Sequence, residues 1–242
     1  MVMKSTIAFA LSIAVITCAS AAHASSMRLS WSTCYGDGQV LNQDFACTDN
    51  STPHVLVASF IPNMTSDTVN GNEIVIDIRT ASEALPAWWM IKNAGSCRMG
   101  SLTVSPTPVS PNSVCLDEFG GYAIAALGAY LIAGPYAYRQ ARIIAVIVVP
   151  VTELAHVDPT QEYFSLAFII DSAHSTGSDA CSGCTVAAEI MLNSIKLTAG
   201  GADFDEFIGS STGENYALWQ GGVIPRVPTR ATTWGAIKAL YR

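Results

Sequence analysis

The segment Glu73-Ile74-Val75-Ile76-Asp77-Ile78 puts an isoleucine at every second position. A period of two belongs to a strand, so Ile74, Ile76 and Ile78 share one face of a sheet. Leu29, Trp31 and Thr33 alternate with Arg28, Ser30 and Ser32 in the same rhythm. Phe164, Leu166, Phe168 and Ile170 are expected on one face of a strand over Tyr163 to Ile170. Ile143 to Val149 is apolar at every position, the pattern of a central strand covered on both sides. With His54 to Phe60, Ala87 to Ile91 and Ala188 to Leu197, the spacing predicts about seven to nine strands joined by Pro-, Asn-, Gly- and Ser-rich turns. The fold class that follows is all-β: an antiparallel β-sandwich, jelly-roll-like, in a single domain. Gly120 to Arg139 is rich in alanine but broken by Gly128, Gly134 and Pro135, so irregular structure with at most a short helix is expected there. Pro106, Pro108 and Pro111 mark a loop.

Half of the residues are hydrophobic and 13% are charged, which excludes a disordered chain. The formal charge of −7 argues against a nucleic-acid partner. The first 24 residues read as a signal peptide. Lys4 is the basic start, Ile7 to Ile16 the apolar stretch, and Ala22-His23-Ala24 the small-x-small cleavage pattern. Cys18 as a lipid anchor is disfavoured by Thr17 immediately before it. The apolar stretches Tyr122 to Ala133 and Ala141 to Val151 are too short to span a bilayer, so no transmembrane segment is expected after cleavage. The chain divides into a leader (1–24), a β-sandwich domain (25–222) and a basic C-terminal tail (223–242), and its expected location is extracellular or on the cell surface.

Export leaves six cysteines, Cys34, Cys47, Cys97, Cys115, Cys181 and Cys184, an even number suited to disulfides in an oxidising compartment. Six cysteines allow 15 pairings. Proximity in the chain suggests Cys34–Cys47, Cys97–Cys115 and Cys181–Cys184. The C-x-x-C at Cys181 to Cys184 follows a loop-like run and not a strand, which disfavours a redox site, and only His174 lies near enough to join it in holding zinc.

Chemical motifs are few. Gly209-Ser210-Ser211-Thr212-Gly213 matches G-x-S-x-G, but His54, His156 and His174 all precede Ser211, and the flanks do not read as strand and helix. No H-E-x-x-H, G-x-G-x-x-G or Walker pattern occurs. No catalytic residue, metal or cofactor is therefore expected. Calcium is the alternative held open, through Asp203, Asp205 and Glu206 or Asp44, Asp49 and Asn50, although neither group supplies six to eight oxygens locally. Trp88 and Trp89 are the candidate binding residues. In a strand they would point to opposite faces, and an exposed ring could stack on a sugar.

The tail differs in charge from the body. Residues 25–222 carry 7 basic and 19 acidic side chains, whereas residues 223–242 carry Arg226, Arg230, Lys238 and Arg242 and no acid. Such a segment is suited to packing on its own body, to sorting or attachment, or to docking into a neighbouring copy.

The segments LSWSTCYGDG, VNGNEIVIDI, LPAWWMIKNAGSC, QEYFSLAFIIDSA, DACSGC and TTWGAIKALYR resemble a group of secreted bacterial proteins with no assigned activity. That resemblance covers most of the exported chain and implies export and a β-rich fold, without catalytic residues. In strand pattern alone the chain is also similar to cohesin-like and carbohydrate-binding sandwiches. The expectation is a non-catalytic binding or surface-assembly protein whose partner is an extracellular polysaccharide or a cell-surface component. A carbohydrate-binding module using a tryptophan platform is the alternative, and a secreted hydrolase the remote one.

Overall fold

A computed structural model of the chain describes residues 25–110, 112–132, 140–199, 206–208 and 213–221. The leader, the tail beyond Gly221 and the segment containing Ser211, Asp203 and Asp205 lie outside the described residues. In chain order the first strands are β1 (Ser26–Trp31), β2 (Asn42–Gln43), β3 (His54–Ile61), β4 (Ser66–Thr80) and β5 (Leu102–Ser105). There follow β6 (Leu116–Asp117), β7 (Ile124–Ile132), β8 (Gln140–Val148) and β9 (Ala155–Val157). The last are β10 (Tyr163–Ile170), β11 (Ala188–Ala199), β12 (Glu206–Ile208) and β13 (Tyr216–Trp219). Two 3-10 turns, Tyr35–Asp37 and Ala87–Trp89, are the only helical elements among the described residues, and no helix there is long and apolar enough to cross a membrane.

The strands form two sheets. One runs β1-β3-β10-β5, with β6 against the start of β10. The other runs β2-β13-β11-β4-β8-β7, with β12 against β11 and β9 against β4. β1 lies over β11 and β13, and β5 over β7, so the sheets face each other along their width. The expected all-β sandwich is what the chain adopts. Strands of two or three residues, β2, β6, β9 and β12, carry no periodicity, which is why thirteen strands appear among the described residues where seven to nine were expected.

The core is built from the alternating faces. Ile74, Ile76 and Ile78 of β4 pair with Ile195, Leu192 and Ile190 of β11. All six side chains are buried. The spacing of three between Leu192 and Ile195 breaks a period of two, and a bulge with Asn193 as the extra residue restores the phase. A second bulge, at Ser165, divides β10. Leu166, Phe168 and Ile170 enter the main core, whereas Phe164 turns to the opposite face and joins Val57, Ala167, Cys34 and Cys115 in a smaller cluster. The expected single face for Phe164 through Ile170 is corrected accordingly.

Three further expectations change. Gly120 to Arg139 is not irregular throughout, because Ile124–Ile132 form β7. Gly128 there marks a bulge against β8 and not a break. Ala87 to Ile91 is not a strand, since Pro86 leads into a 3-10 turn whose Trp88 N–H bonds the Ser182 carbonyl. β8 sits between β4 and β7 as expected of an inner strand, yet only one of its faces is covered. Ala141, Ile143, Ala145 and Ile147 are buried, whereas Ile144 and Val146 are half-buried and Val148 is exposed.

The disulfides join Cys34–Cys115, Cys47–Cys184 and Cys97–Cys181, and not the sequence neighbours. Gly183, with φ 107°, packs flat on Pro86 and lets the two ends of the C-x-x-C reach different segments. The bridges span 81, 137 and 84 residues. In the chain-entropy model each, taken singly, stabilises by about 4.5–5 kcal/mol, more than the short loops expected from proximity. Peptide mapping without reduction should therefore recover three long-range linked pairs, and recovery of a Cys181–Cys184 loop peptide would contradict this fold.

Candidate interaction surface

β7 reads IAALGAYLI and carries no charge. Its inner side is anchored: Ala125, Leu127, Tyr130 and Ile132 pack on the core, and the Tyr130 hydroxyl donates to the Trp89 carbonyl. Its outer side is apolar and open. Ile124 is 68% exposed and Leu131 47%, with Ala126 and Gly128 exposed between them. The register continues the strip onto β8, where Ile124 faces Val148 and Ala126 faces Val146. Val148 is 52% exposed. The strip ends where Arg142 of β8 grips Asp77 of β4 through two hydrogen bonds of 2.7 and 2.9 Å.

β7 is also the outermost strand of its sheet, paired on one side only among the described residues. Edge strands are ordinarily blunted by charge, proline, shortness or a covering loop. The other edges follow that rule. β2 has two residues and β5 four. β1 is covered by loops, its Leu29 and Trp31 N–H groups donating to the Glu214 and Val40 carbonyls. Arg28 of β1 is further held by Glu162 and Glu214 at 2.8 and 2.9 Å. β7 has nine residues and none of these protections among the described residues, its bulge at Gly128 excepted.

Trp88 and Trp89, the residues expected to offer a sugar-stacking ring, are both fully buried. Their rings close on Trp219 at 4.7 and 5.4 Å, and Trp31 meets the same ring at 5.9 Å. The Trp88 indole N–H donates to Ser175 Oγ, and that of Trp219 to the Cys184 carbonyl. The Arg98 guanidinium lies 3.7 Å over the Trp88 ring and donates to the Trp88, Ala173 and Asp171 carbonyls. A turn, unlike a strand, sends both consecutive rings to one side, so neither is left as a platform. Two of the disulfides, Cys47–Cys184 and Cys97–Cys181, fasten the same end.

The histidines are dispersed. His54 Nε2 sits 2.8 Å from Ser172 Oγ, but both residues are buried and Ser172 donates to the Thr52 carbonyl. Burial, with the nearby Arg98 charge, pushes the His54 pKa down to about 4. It is a neutral wedge beside Phe45 and Trp219, at 4.1 and 4.9 Å. His156 pairs with Asp67, and His174 with Asp179 at 2.8 Å, both on the exposed surface. Asp49 caps the Ser51 and Thr52 N–H groups, and Asn50 ties Ser175 and Thr176. No group of three metal-ligating side chains occurs among the described residues. The Glu118 carboxyl is enclosed, and burial raises its pKa well above the usual range.

The sequence reading finds β8 but not the open strip, although the signal for it is present. IAALGAYLI and IIAVIVV are apolar on both faces, and a second covering layer would call for the same residues. No protein-family model matches the chain, and no curated protein matches it.

Two outcomes follow. Trp88→Ala should lower stability to chemical denaturation by about 3–5 kcal/mol, as expected of a buried ring. Because the folded pKa of His54 lies below its unfolded value, stability is full above about 6.5 and is lost as pH falls toward about 4, since over that range the unfolded chain takes up a proton that the buried ring does not. Comparison of wild type with His54→Gln over about pH 7 to 4 should show the wild type losing more. Parallel curves would refute that assignment.

Proposed function

We propose that the protein is a secreted, non-catalytic binding or surface-assembly protein that receives an extended polypeptide strand at β7. The observation that carries this reading is the nine-residue uncharged edge with Ile124 and Leu131 exposed. An added strand would satisfy the edge's backbone groups, and every second side chain would lie beside the outward-facing Ile124, Ala126 and Leu131 of β7, extending the apolar strip. Three disulfides and the leader-like residues 1–24 support an extracellular setting. Trp88 and Trp89 are both enclosed, so a polysaccharide reading would need another ring as its platform. Among the described residues, the His–Ser contact that a hydrolase reading could use, His54–Ser172, is buried, at 6% and 1% exposed.

The test compares where the protein resides in its producing cells. Wild type should be retained at the surface or in large particles, with a mature chain beginning at Ser25. Ala126→Lys and Leu131→Lys should release it as monomer with an unchanged circular dichroism spectrum, because lysine on an edge blocks strand addition. Val114→Lys, at an exposed site elsewhere, should change nothing. An unaltered distribution in both edge variants would rule out β7 as the receiving edge.

A further inference from the structure

The identity of the strand can be taken further, on the reading of β7 as an open edge. We propose that it is residues 229–237 of a second copy of this chain. Residues 222–228 follow Gly221 and include Pro225 and Pro228, the composition of a stiff spacer. Then come Thr229-Arg230-Ala231-Thr232-Thr233-Trp234-Gly235-Ala236-Ile237, nine residues without proline and rich in strand-favouring Thr, Trp and Ile. β7 is also nine residues long. Proline just before a strand costs no ladder bond, so Pro228 is an acceptable entry.

The geometry selects a neighbour over the same chain. β13 arrives at the end of its sheet where β7 also finishes: Trp219 pairs with Ala188, Ala188 with Thr80, Arg79 with Gln140 and Ala141 with Ile132. A chain leaving Gly221 is thus four strand spacings, about 19 Å, from its own β7. A strand added outside that β7 would lie one spacing further, about 24 Å away, and the eight Cα steps from Gly221 to Thr229 reach about 26–29 Å at full extension, which leaves almost nothing for the two turns that a return would require. The edge of another copy imposes no such limit.

Charge favours the same arrangement. The body carries 7 basic and 19 acidic side chains, so two bodies repel, while residues 223–242 carry only positive charge. The acceptor strip is uncharged up to the Arg142–Asp77 pair, with the exposed Glu73 on β4 beside it. Tail into edge is a head-to-tail contact, which closes as a ring or grows as a filament.

The experiment is complementation between two full-length variants, followed by sedimentation and light scattering. Leu131→Lys spoils the edge and keeps the tail. Thr232→Pro with Trp234→Asp spoils the tail and keeps the edge, and a chain ending at residue 222 serves as a second tail variant. Wild type should associate with concentration, on the order of tenfold more weakly in high salt. Each variant alone should be monomeric, and an equal mixture should form dimers and nothing larger. If the tail variants still associate while Leu131→Lys does not, edges pair with edges: the β7 reading stands and this inference falls. If every variant associates like wild type, both fall. A monomeric wild type overturns the inference as well, and β7 amide protection that disappears in the tail variants would then assign the strand to the same chain.

Discussion

The packing of four indoles at one end of the sandwich is the constraint on which the other features depend. Trp31 comes from a strand of one sheet, Trp219 from the other, and Trp88 and Trp89 from the 3-10 turn that follows β4. A tryptophan ring buries a large apolar area and has one polar atom to satisfy, so the cluster also determines where neighbouring acceptors stand. Ser175, Leu218 and Cys184 supply three of them. Arg98, 1% exposed, closes the cluster by stacking on Trp88 and capping carbonyls from two segments. Disulfides Cys47–Cys184 and Cys97–Cys181 then fix the loops that carry these groups.

With one end held in this way, the sheets differ in how they finish. At the β1 side, loops and an Arg28–Glu162–Glu214 network cover the edge. At the β7 side the strand is anchored inward through Tyr130 to the Trp89 carbonyl, but it is bare outward among the described residues. A rigid edge is a better acceptor than a mobile one, because less ordering entropy is lost when a strand is added. The same packing that removes Trp88 and Trp89 from any ligand thus supports the surface that is left.

Much of the fold is legible in the sequence where chemistry is local. The Ile74-Ile76-Ile78 alternation locates β4, and Tyr163 to Ile170 matches β10 residue for residue. Bulges are not legible, because Ser165 and Asn193 act only against a partner strand. Disulfide pairing fails for a related reason. Distance along the chain says little about which loops meet once two sheets have closed, and Cys47 meets a cysteine 137 residues away. The interaction strip is written in plain residues, but a strand apolar on both faces reads identically whether a second layer covers it or a partner does.

Residue-level solvent footprinting along a concentration series of the full chain measures the central claim most directly. Oxidation of Ile124 and Leu131 should fall as the protein assembles, while Met99 and Val114, exposed elsewhere, keep their labelling. Constant labelling of β7, with protection appearing at Met99 or Val114, would contradict it.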